Sequence, residues 1–296
     1  MSVPDASPLT VVFSLLSRAD STPPDLRPPG AGRSQHDVFE SDPNLNFEHW
    51  GEYWRKVHGA RFLHRDEADD TAMDKLLRYD QLHRFAPGPT QTDAPPYRAP
   101  TDAYGRLWPD VAGRIERYRR PQWDGAAYLG FASEADIAEV LGSARVQQKI
   151  MPEDHLMFRD IAPILSRQHI LLPGAGSEPV SLVKLHVRKP ELSRSEFQHW
   201  WLGEHAGLVA EHAGPLLKRY VQLHNVGPTS AGLPFYHADA SRIDGVTLMS
   251  FGSVTALERF LSGAGQAAIA NDERRMADTS AGEWWTAISM TLVDQR

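Results

Sequence analysis

The chain contains no cysteine among its 296 residues. Disulfides, thiolate-bound iron–sulfur clusters, zinc fingers and cysteine nucleophiles are therefore excluded, and any bound metal would need histidine and carboxylate ligands. Basic residues are also in deficit, with Lys+Arg 31 against Asp+Glu 38 and a formal net charge of -7. This balance gives no general electrostatic reason to expect a nucleic-acid partner.

Long apolar runs are missing as well. No stretch approaches the roughly 18 uninterrupted apolar residues of a membrane-spanning helix, and the first residues lack the basic start and apolar run of a signal peptide. We therefore expect a cytoplasmic protein with no membrane partner. The sequence also lacks a Gly-x-Ser-x-Gly elbow, a His-Glu-x-x-His motif and a glycine-rich phosphate cradle. A serine hydrolase and a nucleotide cofactor are accordingly not expected.

What the sequence does contain is an internal repeat. Trp50-Gly-Glu-Tyr-Trp-Arg-Lys-Val-His58 and Phe197-Gln-His-Trp-Trp-Leu-Gly-Glu-His205 share an aromatic residue, a tryptophan and a histidine at steps of four. Such steps place the three side chains on one face of a helix. Each copy then has a Tyr-x-Gln-x-His motif, at residues 79–83 and 220–224. Further matched segments follow in the same order: 123–131 and 243–251, each with an Asp-Gly turn signal, 133–141 and 253–261, 153–160 and 271–278, and 164–172 and 286–293.

Each copy predicts strand, helix, strand, strand, helix, strand, with opening strands at 10–16 and 181–188. This is the ferredoxin-like βαββαβ unit of an α+β fold. Its four-stranded antiparallel sheet has helices on one face, so two units can bury their open faces against each other. We expect domains at 8–172 and 180–296, joined by the Gly/Pro-rich linker 173–179. Pro-rich insertions in the first copy, at 19–46 and 86–109, are candidate lids over a cavity.

The second copy resembles an EthD domain. The resemblance rests on Val187-Arg-Lys-Pro-Glu-Leu-Ser-Arg-Ser-Glu-Phe197, Trp201, His205 and Tyr220-Val-Gln-Leu-His224. The first copy resembles a more divergent EthD domain that keeps Trp54, His58, Tyr79, Gln81, Asp154, Phe158 and Asp160. The resemblance implies a dimeric α+β barrel formed within one chain, in which paired sheets enclose a ligand cavity. It also implies relatives among dehydratases and cyclases of aromatic polyketides, lactone isomerases, monooxygenases and heme enzymes, and the fold alone does not choose among them.

Candidate site residues follow from the alternation of side chains along the strands. Tyr220, Gln222 and His224 share one strand face, as their counterparts in the first copy do, and we expect both sets to face the cavity between the sheets. Lys184 and His186 share a face of a neighbouring strand. Histidine is the natural general acid or base near neutral pH. The predicted catalytic residues are His205, His224, Tyr220, His58, His83 and Tyr79, and the predicted substrate-binding residues are Gln222, Gln81, His186, Lys184, Trp201 and Trp54.

Structural roles are open for several of these residues. A histidine that shares a helix face with tryptophan is often a core residue, which applies to His58 and His205. The aspartates at 154, 160, 272 and 278 are expected to cap or staple the second helix of each copy. A metal held by His205 and His212 is a further alternative.

The function favoured by the sequence is a cofactor-independent lyase that dehydrates, decarboxylates or cyclises a small aromatic or polyketide-like molecule by histidine acid–base catalysis. One alternative is a non-catalytic protein that binds a small ligand and serves an oxidative catabolic pathway. Another is a heme-dependent enzyme. The sequence is compatible with a monomer or a homodimer, and it does not say which repeat holds the active site.

Overall fold

The protein is described by a computed structural model at residues 8–18, 47–63, 71–85, 123–175 and 177–295. The predicted insertions at 19–46 and 86–109 lie outside these ranges. Within the described part of the chain, no helix is both long and apolar enough to cross a membrane.

Both repeats have the predicted order of elements. The first consists of strand β1 (Thr10–Arg18), helix α1 (Phe47–Tyr53, a π-helical turn at Trp54–His58, and Gly59–Arg61), β2 (Arg78–Arg84), β3 (Gly125–Phe131), α2 (Glu134–Gly142), α3 (a π-helical turn at Val146–Ile150, and Met151–Met157) and β4 (Phe158–Leu172). The second consists of β5 (Val180–His186), α4 (Arg194–Trp200, a π-helical turn at Trp201–His205, and Ala206–Ala213), β6 (Leu217–Asn225), α5 (Ala238–Ser241), β7 (Gly245–Phe251), α6 (Val254–Leu261), α7 (Gln266–Met276) and β8 (Glu283–Asp294). Short 3₁₀ turns at Ala72–Lys75 and Gly214–Leu216 precede β2 and β6.

Serine residues cap the N-termini of three helices. The hydroxyls of Ser133 and Ser253 accept backbone N–H groups at the starts of α2 and α6. Ser193 and Glu196 form a reciprocal capping box at the start of α4. Such caps satisfy N–H groups that have no partner within the helix, which is why these helices begin where they do.

The eight strands close into one antiparallel barrel in the order β1-β3-β2-β8-β5-β7-β6-β4. The last strand of each repeat joins the two halves, because β4 pairs with β1 and then with β6, while β8 pairs with β5 and with β2. No strand of the barrel therefore has an open edge. The predicted pairing of two ferredoxin-like sheets in one chain is confirmed.

The interior of the barrel is packed with apolar side chains from all eight strands, including Phe13, Leu82, Val221 and Leu223. Because side chains alternate along a strand, the Tyr-Gln-His sets that flank Leu82 and Leu223 point the other way, toward the helices. The expectation that these sets face the space between the sheets is therefore wrong. Aliphatic and aromatic side chains pack between the sheets, and the polar sets lie under the helical layer.

Candidate active site

A glutamine on the second strand of each repeat organises a buried network. The side-chain amide of Gln222 donates to the carbonyl of Trp201 at 2.9 Å and to the hydroxyl of Tyr220 at 3.0 Å. Its carbonyl oxygen lies 3.0 Å from Nε2 of His224. The first repeat reproduces all three contacts at 2.9, 2.9 and 3.0 Å, with Gln81, Trp54, Tyr79 and His83. Tyr220 and Gln222 are thus bonded to each other and to the helix.

The π-helical turns coincide with this network. The carbonyl of Trp201 accepts a hydrogen bond from the backbone N–H of Ala206, five residues later, in addition to the bond from Gln222. The first repeat has the same arrangement at Trp54, where the backbone donor is Gly59. Sequence periodicity did not reveal these turns, since an aromatic-Trp-His spacing of four also fits an ordinary α-helix. Isolated π-helical turns are frequent at functional sites.

The glycine of each Asp-Gly dipeptide leaves room for a tryptophan ring. Its role is not to form a turn. A Cβ on Gly245 would lie 2.1 Å from the Trp201 ring. Asp244 instead accepts the backbone N–H of Arg188 at 2.8 Å, just after β5. The first repeat repeats both features with Gly125, Trp54, Asp124 and Arg18. The dipeptide therefore marks the beginning of β3 and β7, where the indole lies against the strand.

His205, on the π-helical turn of α4, lies between two adjacent carboxylates of α7. Its Nδ1 is 2.9 Å from Asp272 Oδ2, and its Nε2 is 3.6 Å from Glu273 Oε1. Glu273 also forms an ion pair with Lys184 of β5. Burial raises the pKa of Glu273, but the positive charge of Lys184 and the contact with His205 outweigh burial and hold that pKa well below its usual range. Glu273 is therefore ionised at neutral pH.

The first repeat places His58 between Glu153, at 3.0 Å, and Asp154, at 3.3 Å. Burial raises the pKa of Asp154 to about 6. For Glu153, hydrogen bonds from His58, Arg61 and Tyr53 outweigh burial and lower the pKa to about 2. The pair Glu153–Asp154 is thus the structural counterpart of Asp272–Glu273, one residue away from the match that the sequence suggested.

The predicted capping roles of the aspartates differ in detail from what the structure shows. Asp278 follows α7 and accepts the backbone N–H groups of Ser280 and Ala281 at 3.0 and 3.2 Å. Asp160 lies at the start of β4, 3.1 Å from Nε2 of His237. These two aspartates stabilise a turn and an inter-repeat contact rather than a helix.

A cleft that is open to solvent lies on the helical side of the second repeat. It is bounded by β5, the start of β8 and the segment that follows α7, and its polar or aromatic lining includes Lys184, His186, Glu273, Asp278, Glu283 and Trp284. Of the predicted site residues, Lys184 and His186 line this cleft directly. The others of the second repeat lie behind it: His205, Tyr220, His224, Gln222 and Trp201.

Burial shifts the two histidines next to the cleft, His186 and His224, toward their neutral forms. His186 has its Nε2 2.9 Å from the Thr247 hydroxyl, and burial lowers its pKa to about 3. Its ring lies 4.9 Å from Trp201, whose indole stacks on His224 at 4.8 Å. Burial likewise lowers the pKa of His224 to about 3. Both imidazoles are therefore neutral at pH 7.

The remaining members of the Tyr-Gln-His sets show the same effect. Burial raises the pKa of Tyr220 and of Tyr79 well above the usual range, so both phenols stay protonated. Burial lowers the pKa of His83 to about 4.

The strand register shows that the two repeats are not chemically equivalent. In the second repeat, Lys184 of β5 pairs with Thr247 of β7. The corresponding residues of the first repeat are Ser14 of β1 and Ala127 of β3. Two residues further along, His186 faces Gly245, and its counterpart is Leu16. The ammonium, imidazole and hydroxyl of the second repeat are thus replaced by small or apolar side chains in the first.

The strand that crosses from the other repeat extends this difference. Arg167 and His169 of β4 pair with His224 and Gln222. The corresponding residues of β8, opposite His83 and Gln81, are Ile288 and Met290. Four of these five positions are polar only in the second repeat, and at the fifth Lys184 stands where the first repeat has the small Ser14.

Sequence reasoning did not assign Glu273 of the cleft to the site. It also missed Thr247, whose hydroxyl contacts His186. Glu273 stands next to Asp272, which the repeat comparison did find, but its approach to Lys184 depends on how α7 packs against β5. Lys184 and His186 were found from strand alternation alone.

The predicted histidines do not fit a heme. Each has its Nε2 next to a protein oxygen: Asp154 for His58, Gln81 for His83, Thr247 for His186, Glu273 for His205 and Gln222 for His224. An axial ligand needs a ring nitrogen that faces the iron. For metals, the described residues contain no group of three or more histidine or carboxylate side chains placed to hold an ion.

The fold and the duplicated network define an α+β barrel of two ferredoxin-like repeats. A family model for the EthD domain matches residues 189–280. The second repeat is therefore similar to an EthD domain over these residues, as its motifs indicated. No curated protein matches the chain.

Several solved structures are similar to this chain at low sequence identity. An anthrone oxidase-like protein is 11% identical, with a TM-score of 0.52, and the match covers 100% of this chain and 98% of that one. A Lactobacillus acidophilus protein provisionally named a monooxygenase is 8% identical, with a TM-score of 0.48 and coverage of 98% and 97%. A mutant chlorite dismutase from Candidatus Nitrospira defluvii, in complex with cyanide, is 10% identical, with a TM-score of 0.40 and coverage of 96% and 91%.

Proposed function

We propose that the second repeat is the active site of a cofactor-independent enzyme that moves a proton next to a carbonyl group of a small aromatic molecule. Dehydration, decarboxylation and cyclisation all use this step. The observation that carries the proposal is the meeting of Lys184, Glu273 and a neutral His186 at one open cleft. The first repeat has Ser14 and Leu16 in place of Lys184 and His186.

Each of the three groups has a distinct task in such a reaction. Glu273 is ionised and takes the proton from the carbon next to the carbonyl. The ammonium of Lys184 stabilises the negative charge that develops on the carbonyl oxygen. When Nε2 of His186 accepts the Thr247 hydroxyl, Nδ1 carries the proton, and a neutral imidazole of this kind can donate to the same oxygen. In a dehydration, protonated Glu273 then gives its proton to the departing hydroxyl, which leaves as water.

The residues behind the cleft hold these groups in place. His205 contacts Glu273 through its Nε2, and Asp272 holds the other ring nitrogen of His205. Tyr220, Gln222, His224 and Trp201 form the scaffold under His186. We assign them positioning roles, which differ from the direct catalytic roles that their residue types suggested. In the first repeat, the corresponding roles of His58, Tyr79, Gln81, His83 and Trp54 are purely structural under this proposal.

The proposal is tested by following deuterium exchange at the carbon next to the carbonyl of 1-tetralone, using NMR in D₂O. The wild-type protein should accelerate exchange. Glu273→Gln should reduce the acceleration by about 100-fold or more, the usual contribution of a general base. Asp154→Asn is the matched control, because Asp154 holds the equivalent position beside His58, and it should leave the rate unchanged.

Three outcomes would contradict the proposal. An equal loss of exchange activity in Glu273→Gln and Asp154→Asn would show that catalysis is not confined to the second repeat. Tight binding of the ketone by the wild-type protein without exchange would favour the non-catalytic binding protein. A Soret band in the purified protein would favour a heme enzyme.

A further inference from the structure

Three basic side chains form a cluster on the helical face of the second repeat, away from the cleft. Arg167 of β4 pairs with His224 of β6, and His169 lies two residues further along β4. Opposed residues of an antiparallel pair point to the same side of the sheet, so the three side chains share one face. The ring centroids of His169 and His224 are 4.2 Å apart. Trp201 lies between His224 and His186 of the cleft, with its ring 4.8 Å from the first and 4.9 Å from the second.

The cluster has no negative partner within the described part of the chain. No carboxylate of these residues forms an ion pair or a hydrogen bond with Arg167, His169 or His224. His224 donates from Nε2 to the side-chain carbonyl of Gln222 at 3.0 Å. Neither ring nitrogen of His169 has a hydrogen-bond partner among the described residues. Because Arg167 is exposed and His169 is half-buried, the guanidinium and one imidazole are open to a ligand.

The members of the cluster oppose one another electrostatically. Burial and then the charge of Arg167 lower the pKa of His169. Burial, His169 and Arg167 together lower the pKa of His224 to about 3. An anion that binds among positive groups relieves their repulsion and favours the protonated form of both imidazoles.

The barrel itself does not need these basic residues. In the first repeat, the strand that crosses from the other half carries Ile288 and Met290 at the corresponding positions. The two crossing strands make equivalent pairings, so apolar side chains serve this purpose as well as basic ones. Arg167 and His169 therefore belong to a property that only the second repeat has.

We propose that Arg167, His169 and His224 form a binding site for an oxyanion, the carboxylate or phosphate group of a small molecule. The planar guanidinium of Arg167 can bond to two oxygens of such a group at once. A ring N–H of His169 donates a further hydrogen bond, and His224 forms the adjoining wall. The site goes beyond the proposed function and does not depend on it, because Trp201 separates it from the cleft.

The test follows the imidazole signals of the full-length protein by NMR at pH 7 and low salt, with benzoate and inorganic phosphate as separate probes. His169→Gln assigns the signals of His169. In the wild-type protein at least one probe should shift these signals to saturation, and the tighter probe identifies the group as a carboxylate or a phosphate. Arg167→Gln should raise the dissociation constant at least about tenfold, because it removes charge-assisted hydrogen bonds. Arg259→Gln removes an equal charge from an exposed position of α6 and should leave the constant unchanged.

Three results would overturn the inference: no saturable shift of the His169 signals with either probe, an unchanged dissociation constant in Arg167→Gln, or an equal loss of affinity in Arg259→Gln. The measurement does not involve turnover. A protein that binds the oxyanion but exchanges no deuterium would refute the proposed enzyme and retain this site. A protein that exchanges deuterium but binds neither probe at His169 would refute this site and retain the enzyme.

Discussion

His186 shows how burial, at the scale of one residue, sets the chemistry of the cleft. Desolvation lowers its pKa to about 3, and Lys184, His205 and His224 act in the same direction, against the opposing effect of Glu273. The imidazole is thus available at neutral pH as an uncharged hydrogen-bond donor. The sequence alone placed Lys184 and His186 on one strand face. The pKa of His186 could not be predicted in this way, because it depends on the helices that cover the strand.

The lowered pKa of His186 makes stability depend on pH. Between pH 6.5 and about 3 the unfolded chain binds a proton that the folded protein excludes, so the free energy of unfolding falls as the pH falls. Replacing His186 with Gln should reduce the slope of this fall by up to about 1.4 kcal/mol per pH unit. Urea denaturation at several pH values measures the slope. The exposed His199→Gln is the control, and a slope unaltered by His186→Gln would show that this histidine is not buried in its neutral form.

At the scale of the elements, the order of strands and helices could be predicted from the sequence. The periodicity of apolar residues and the matched segments of the two repeats indicated the same order in both. The π-helical turns could not be predicted, since they depend on a carbonyl that accepts from a side chain of another element. Gln81 and Gln222 provide that contact in the two repeats. The direction of the polar sets was also unpredictable from one strand, because alternation gives two faces without saying which one the partner sheet covers.

The two glutamines allow the structural and catalytic roles of the network to be separated. Gln81→Leu and Gln222→Leu should each lower the free energy of unfolding by about 1–3 kcal/mol, because each leaves buried polar partners unsatisfied. Under the proposed function, Gln222→Leu should in addition slow deuterium exchange by loosening the scaffold under His186. Chemical denaturation and the exchange assay measure the two effects. Equal exchange rates in both variants would argue that the network of the second repeat has no part in catalysis.

At the scale of the whole molecule, duplication supplies both halves of the barrel and lets the repeats diverge. Each sheet buries its inner face against the other, and β4 and β8 cross between them. Five positions around the second network are polar where the first has small or apolar residues. The sequence predicted the barrel but not this asymmetry, because the aligned motifs retain tyrosine, glutamine and histidine in both copies and the differences lie on neighbouring strands.

The crystal structure of a complex with 1-tetralone tests most directly whether the cleft of the second repeat is the functional site. We expect the ring of the ketone to lie against Trp284, with its carbonyl oxygen within about 3.2 Å of Lys184 Nζ or His186 Nδ1. A ketone bound instead beside His58, or inside the barrel, would contradict the account.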